Sequence, residues 1–596
     1  MRNAETILGI IRNRGTRGLP VNDLYRQLWN PNLYLTAYGR IAKNDGALTP
    51  GATPETADGM KMDDIHAIIE ALRFERYRWT PARRVYIPKA NGKRRPLGLP
   101  TWSDKVLQEV MRLLLEAYYE PQFSDRSHGF RPRRGCHTAF TEITRTWTGT
   151  TWFIEGDIAG CFDNIDHKVL LELLGENIQD NRFLRLVSNL LRAGYLEDWK
   201  LHATYSGTPQ GSVVSPILAN VYLDRLDRFV EGVLLPDYNR GTKRKRNREY
   251  QRLESKAKYL RRTGRGKEAA AIRPLMRSLP YNDTHDPDYR RLRYIRYADD
   301  FLLGFTGPKD EADEIKARIG RFLQDNLKLE LTDDKTLVTH GRTQAARFLG
   351  YEVVVQGSDT KLDARGRRTV NGIIGLRVPQ DVVRAKSAAY MRDGKPIHLG
   401  ARLHDSPFSI VEQYQAEYRG VVNYYRRATN LGALNYLRWV MEMSLAKTLA
   451  GKLKISVAQV FKRYKTRIQT DNGPRKVLMV KVDEPGEEPL VTYWGGVSLA
   501  RDNTATLVDK HPPILNGRTE LEQRLRANVC ELCGSTVKVQ VHHVRALKDL
   551  RKKGRAKPPV WVEMMATRRR KTLVACASCH ADIHAGRPLK QDVQAA

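Results

Sequence analysis

Tyr297-Ala298-Asp299-Asp300 sets two adjacent carboxylates between the β-forming runs at 292–296 and 301–305. That pattern predicts strand, tight turn, strand, with the acids at the tip. Two carboxylates at one tip repel each other unless a cation sits between them, and oxygen-only ligands suit Mg²⁺. A third acid, Asp157, ends another strand-like run at 151–156. A sheet that brought Asp157 beside the Asp299-Asp300 turn would build a clamp for two metal ions about 3.5–4 Å apart, which holds the attacking and leaving oxygens in phosphoryl transfer. An Asp-Asp turn alone is more often a solvated hairpin, so the rest of the chain decides.

Charge narrows the partners. Lys and Arg number 101 against 67 Asp and Glu, a formal charge of +34 and a pI near 9.9. The self-repulsion of such an excess is relieved by a polyanion, so nucleic acid is the expected partner. No run of about 18 apolar residues is present, so no membrane partner is expected. The polar, basic residues 1–18 lack a signal-peptide core, and the expected location is cytoplasmic.

The 596 residues, 41 % hydrophobic, suffice for about three to five domains. Residues 1–60 read as an N-terminal extension with short helix signals broken by Gly46, Pro50 and Gly51. From 61 to 375 helices alternate with short strands, and Val106, Leu107, Val110, Met111, Leu113 and Leu114 have the spacing of a helix that buries one face. Within it, about 237–287 is a strongly charged insertion with Lys243-Arg244-Lys245-Arg246, either a solvated helical loop or a track for a phosphate backbone. Residues 376–470 turn helical: Tyr418, Val421, Val422 and Tyr425 repeat at three- and four-residue steps, as do Leu434, Leu437 and Met441, with Lys447 and Lys452 in a basic surface. Residues 471–520, rich in Gly, Pro and Asp, read as a linker or DNA-binding region, and 521–596 carry a cysteine and histidine cluster.

The ordered motifs are specific. A basic hairpin runs from Arg83 through Lys89 to Arg95; Ser127-His128-Gly129-Phe130-Arg131-Pro132 follows; Phe162 lies five residues after Asp157; Gly207-Thr208-Pro209-Gln210-Gly211 precedes Leu218-Ala219-Asn220-Val221-Tyr222-Leu223. With these, the chain resembles the reverse transcriptases encoded by group II introns, over nearly its whole length. The resemblance implies a multidomain α+β fold: right-hand polymerase fingers and palm, an all-helical thumb that is also the maturase X domain, and a C-terminal HNH module. By the same resemblance Asp157, Asp299 and Asp300 bind two Mg²⁺ ions, Arg83, Lys89 and Arg95 grip the incoming dNTP, Phe162 gates the sugar and Gln210 lines the nucleotide pocket. Lys335 and Phe348-Leu349-Gly350-Tyr351 correspond to later palm and primer-grip motifs, although a lone Lys after two Asp is more often a surface ion pair. Lys243, Arg244, Lys245, Arg246, Lys447 and Lys452 are the RNA-contacting candidates.

The tail contains Cys530-Glu531-Leu532-Cys533, His542-His543, Cys576-Ala577-Ser578-Cys579-His580 and His584. Two Cys-x-x-Cys knuckles at this spacing can close a tetrahedral structural Zn²⁺ site. The arrangement resembles an HNH endonuclease of the ββα-metal fold, in which His543 is the general base and His542, His580 and His584 hold one divalent ion. Lys571-Thr572 stands where that family's central Asn belongs. A purely structural zinc ribbon that binds DNA is the plainer reading, and Arg568-Arg569-Arg570-Lys571 suits phosphate under either.

The family likeness implies a bacterial ribonucleoprotein with intron RNA, associated with the nucleoid when bound to target double-stranded DNA. Its expected activities are RNA-directed DNA polymerisation, splicing assistance and DNA nicking, which together drive retrohoming by target-primed reverse transcription. The alternatives are a non-mobile RNA-binding maturase and a host-domesticated reverse transcriptase.

Overall fold

The strands of a computed structural model of the chain are, in order, β1 (Ala82–Pro88), β2 (Arg94–Leu99), β3 (Trp152–Asp157), β4 (Tyr195–Glu197), β5 (Lys200–His202), β6 (Arg291–Tyr297), β7 (Asp300–Thr306), β8 (Val338–His340) and β9 (Ala346–Phe348). There follow β10 (Tyr351–Val355), β11 (Ile374–Arg377), β12 (Met391–Arg392), β13 (Lys395–Pro396), β14 (Lys465–Thr470), β15 (Gly473–Val482), β16 (Leu490–Gly495), β17 (Val539–His543) and β18 (Thr572–Cys576). The structure describes the whole chain except residues 1–2, 45, 89–91, 93, 198–199, 203, 205, 208–210, 333, 359, 365–367, 471–472, 483–488, 508–523, 526, 545–549, 551–558, 568–570, 588 and 590–596.

The central sheet has the order β6-β7-β3-β8, and the basic hairpin lies in a second sheet of order β2-β1-β4-β5. Apolar residues of β3 and β7 are buried on both faces of the sheet, as the near-continuous runs in their sequences require. The helix Trp102–Tyr119 shares a core with Ile154, Leu303 and Phe305 of this sheet. Its periodicity predicts one buried face, but it is covered nearly all round, because the N-terminal helices Ala4–Thr16 and Pro31–Ile41 pack against it in the same core. Charges at its covered positions are therefore paired: Arg112 bonds Glu109 at 2.7 Å and Glu116 at 2.7 Å, and Arg40 reaches Glu109 at 3.2 Å. Unpaired, each buried ion would cost several kcal/mol, of the order expected for transfer out of water.

A second core joins the helices Pro407–Tyr424 and Leu434–Leu453 to β9, β10 and β11. Tyr418, Val422, Tyr425, Leu434, Leu437 and Met441 are all buried there, as their spacing requires. The stretch read as a linker from 471 is partly built into this core. β14, β15 and β16 form one antiparallel sheet whose Leu478, Val480 and Trp494 are buried against Tyr414 and Tyr418. Gly473 and Pro474 open β15 and Gly495 closes β16, and the apolar run at 477–480 supplies the packing.

The charged insertion is a pair of helices, Arg248–Arg262 and Gly266–Ser278. Its basic run is engaged by the insertion and the residues just after it: Lys245 pairs with Asp288, Arg246 with Glu254 at 3.2 Å, and Arg244 lies over Tyr289. Lys243 is exposed. Among the described residues no helix is long and apolar enough to cross a membrane.

Candidate active site and metal clusters

β3 and β7 run antiparallel with Asp157 directly opposite Asp300, and β6 enters the turn that carries Asp299. The sheet thus brings the three acids to one edge. Burial and then the Asp299 and Asp157 charges push the Asp300 carboxyl up to about 7. Burial also raises Asp299, with Asp157 adding to the effect and Arg95 and Lys335 partly offsetting it. Lys335 donates to Asp157 Oδ2 at 2.9 Å, and the Thr332 hydroxyl donates to the same oxygen at 2.8 Å. The lysine that reads as a surface pair is thus the counter-charge of the acid cluster.

Residues absent from the sequence-based site hold the turn in place. Ala298, at its first position, has φ +56°, and Arg296 donates to its carbonyl at 2.9 Å. Arg296 is fully buried and forks onto Asp227, Nε to Oδ1 at 2.8 Å and Nη2 to Oδ2 at 2.6 Å. The Tyr294 hydroxyl donates to the same carboxylate at 2.8 Å. From the other side, Gly129 lies so close that a Cβ there would sit 2.4 Å from the Ala298 nitrogen, and Asn220 donates to the Gly129 carbonyl at 2.9 Å. The only sequence signal for this shell is the position of Gly129 and Asn220 inside the ordered motifs.

Of the other polymerase candidates among the described residues, Arg95 is the one whose charge acts on the acids. Arg95 pairs across the hairpin with Ile87, and its charge reaches Asp299. Arg83 instead donates to the Pro50 carbonyl at 2.8 Å. Phe162 is half-buried against the core, its ring edge-on to Phe130 with centroids 6.0 Å apart. Lys89 and Gln210 lie outside the described residues. Gly211, φ +100°, abuts the Gly98 carbonyl of β2. The Leu349-Gly350 turn is clamped from the helix Pro407–Tyr424 and its end: the Tyr424 hydroxyl donates to the Leu349 carbonyl at 2.7 Å and the Tyr425 hydroxyl to Gly350 at 2.9 Å. Lys447 and Lys452 spend their ammonium groups on the Pro396 and Leu403 carbonyls at 2.7 and 3.0 Å.

Two groups of side chains among the described residues converge within 4.8 Å in a way that suits a metal, and both involve the C-terminal module. The first is Cys530, Cys533, Cys576 and Cys579. Cys533 Sγ lies 3.6 Å from Cys576 Sγ, and the amides of Cys533 and Cys579 point at the sulfurs of Cys530 and Cys576. A tetrahedral ion with bonds of about 2.3 Å needs sulfurs about 3.8 Å apart, so the donor set fits zinc.

The second group contains His542, His580 and His584, as the sequence suggests, and a residue the sequence did not point to, Asp58. Asp58 Oδ1 is 3.0 Å from His580 Nε2 and 3.4 Å from His542 Nδ1, and Oδ2 is 2.7 Å from His584 Nε2. Burial opposes ionisation of Asp58, but hydrogen bonds from His542 and His580 outweigh it and hold the carboxyl well below the usual range. His543 is not among the converging donors. Neighbours on a strand face opposite ways, and its ring is buried with neither nitrogen in a well-formed hydrogen bond among the described residues. Burial lowers its proton affinity, with the Asp58 charge and the Ala42 backbone working against that. Thr572, in the place of the expected Asn, sits directly opposite His543 across β17 and β18.

Residues 87–248 match the family described as reverse transcriptase (RNA-dependent DNA polymerase), 374–479 the type II intron maturase, and 530–580 the AI2M/AI1M-like HNH endonuclease. The group II intron-encoded protein LtrA of Lactococcus lactis subsp. cremoris is 38 % identical over 589 residues, covering 94 % of this chain and 95 % of its own. An uncharacterized 91 kDa protein in the cob intron of Schizosaccharomyces pombe is 35 % identical over 95 % of this chain and 70 % of its own. The putative COX1/OXI3 intron 1 protein of Saccharomyces cerevisiae is 32 % identical over 94 % and 69 %.

Proposed function

The chain belongs to the group II intron-encoded proteins, and from that membership we propose how its residues divide the family's work. It is a multifunctional protein: an RNA-directed DNA polymerase, an intron maturase and an HNH DNA endonuclease. The observation that carries the assignment of the polymerase centre is the register that sets Asp157 opposite Asp300 with Asp299 in the adjoining turn. A fingers-and-palm division then follows, with β1 and β2 in the fingers, the β6-β7-β3-β8 sheet as the palm and residues 376–470 as the thumb and X domain.

Asp157, Asp299 and Asp300 hold two Mg²⁺ ions, which when bound lower the charge barrier to attack of a primer 3′-hydroxyl on the α-phosphate of a dNTP. Arg95, with Lys89, orients the triphosphate through charge-assisted hydrogen bonds. Phe162 presents its ring to the sugar and excludes a 2′-hydroxyl. Lys335 neutralises Asp157 before the cations arrive. In the tail, the four cysteines hold structural Zn²⁺, and His542, His580 and His584 hold the nuclease ion that serves the scissile phosphate. His543 takes the proton from the attacking water once its ring is uncovered. Nicking of target DNA then supplies the primer for copying intron RNA, the sequence of events in retrohoming.

Primer extension on an RNA template tests the assignment. Asp157→Ala and Asp299→Ala should each abolish extension in Mg²⁺ while leaving DNA nicking in place, and near-normal extension by either variant would overturn it. His543→Ala should do the reverse.

A further inference from the structure

The histidine cluster is completed by a residue 522 positions before His580 and 526 before His584. Residues 58–60 lie along the edge of β17 that β18 leaves open: the Gly59 amide donates to the Val541 carbonyl at 2.8 Å, the Val541 amide to the Met60 carbonyl at 3.1 Å, and the His543 amide to Asp58 Oδ1 at 2.7 Å. Val539, Val541 and Val574 are buried in the same core as the N-terminal helices, so the module is seated there by apolar contact as well. This edge pairing delivers the Asp58 carboxylate into the centre of the three imidazoles.

The donors there crowd in a way that protons alone do not explain. His584 Nε2 lies 2.7 Å from Asp58 Oδ2 and 3.1 Å from His580 Nε2, and His580 Nε2 is also 3.1 Å from His542 Nδ1. One ring nitrogen carries at most one proton and cannot donate in two directions. A tetrahedral ion with bonds of about 2.0–2.1 Å wants donors roughly 3.3–3.4 Å apart, close to the 2.7–3.4 Å seen here. Three imidazoles and one carboxylate are ligands that suit zinc or another borderline divalent ion.

We propose that Asp58 is the fourth protein ligand of the endonuclease metal and keeps the nuclease shut until a substrate phosphate displaces it. The inference rests on the reading above that His542, His580 and His584 hold that metal. Catalytic metal sites keep one position open for water or substrate, whereas sites closed by four protein ligands are structural. With Asp58 bound, no position is left for the phosphate. The burial of His543 against the N-terminal region points the same way, since a general base must reach the attacking water. DNA therefore has to replace one anionic oxygen ligand by another.

The test uses the full-length protein with its four-cysteine site already filled by one tightly held equivalent of zinc. A second equivalent of Zn²⁺ is titrated by calorimetry in excess Mg²⁺, which occupies the carboxylate-only sites. Asp58→Asn keeps an acceptor for the His543 amide and hence the docking; Asp58→Ala removes it; thermal unfolding checks that both fold. Loss of a direct ligand should weaken the second equivalent by at least about tenfold, since even supporting contacts are worth about 10–100-fold. At saturating metal, nicking of supercoiled plasmid by the same variants should rise about tenfold or more. Unchanged zinc affinity, or nicking that falls at saturating metal, would overturn the proposal. His580→Ala separates the two readings. If it too leaves the second equivalent intact, the histidine assignment itself is wrong; if it abolishes binding while the Asp58 variants bind like the parent, only the role of Asp58 fails.

Discussion

Breaking the Arg296–Asp227 pair tests whether the acidic turn is held by a buried charge network. Both side chains are 0 % exposed. Asp227→Asn removes the charge that balances Arg296 and one of the two acceptors of the 2.8 and 2.6 Å fork, and leaves a buried guanidinium without its counter-ion. Removing one partner of such a pair costs about 3–5 kcal/mol. For a domain of the size of this sheet and its helices, about 2–4 °C of melting temperature goes with each kcal/mol, so the transition should fall by roughly 6–20 °C. Function should suffer separately. Arg296 also donates to the Ala298 carbonyl at 2.9 Å, and a reacting group displaced by about 1 Å can lose roughly 100-fold in rate. Steady-state primer extension should therefore show kcat down by about that factor with the dNTP KM little changed. The double substitution Arg296→Met with Asp227→Leu separates the two effects. Apolar replacement of a buried pair is often neutral or stabilising, so melting should recover while extension stays low, because nothing then holds the Ala298 carbonyl. If Asp227→Asn melts within a degree or two of the parent and extends primers normally, the network does not hold the turn.

Gly129→Ala should impair extension with little effect on nicking, because its Cβ would lie 2.4 Å from the backbone of Ala298 and the turn must move; matched polymerase and nicking assays read this directly. Asp300, raised to about 7, should make Mg²⁺ binding weaken as pH falls through about 7, with proton release on binding measurable by calorimetry in buffers of different ionisation heat. The same raised value means that in Mg²⁺-free buffer the unfolded chain ionises first, so this group costs stability progressively from about pH 4 to 7 and fully above that range. Asp300→Asn should accordingly raise the urea midpoint at pH 8 and leave it unchanged near pH 3. Cys530→Ser should release one equivalent of zinc and open the small core of Leu532, Met565 and Leu573 to protease, with primer extension retained, because a structural zinc supplies about 10–16 kcal/mol to such a module.

What the sequence made legible was local. The β-forming flanks of Asp299-Asp300 gave the turn, and the two Cys-x-x-Cys spacings gave the cluster that the structure assembles. Helical spacing found the buried faces of Pro407–Tyr424 and Leu434–Leu453. Pairings across the chain were not legible. Arg296 sits in an alternating strand where a charge reads as solvent-facing, and Asp227 reads as an ordinary polar position on a helix. Asp58, in Ala57-Asp58-Gly59, has the composition of any surface turn, and its neighbours in space are separated from it by nearly the entire chain. From 471, where the chain reads as a linker or DNA-binding region, the sheet was not legible because turn residues outnumber apolar ones, although four consecutive apolar positions at 477–480 carry the packing.

The two distant contacts share a logic that their local sequences conceal. At the acid cluster, a lysine from a separate loop places its ammonium against Asp157, where positive charge is required before catalysis. At the histidine cluster, an aspartate from the N-terminal region places its carboxylate against three imidazoles, in the position an anionic phosphate oxygen would take. In each case the side chain mimics the sign of the group that must arrive. Three acids at one sheet edge repel, and that repulsion adds to burial in raising Asp300. The contact made by Lys335 is 65 % exposed and so weak enough to be exchanged. Asp58 is only 16 % exposed and anchored by backbone pairing on both sides, so its exchange demands more binding energy from the incoming ligand. The difference implies that the polymerase centre opens to its metals alone, whereas the nuclease opens only to a bound DNA strand.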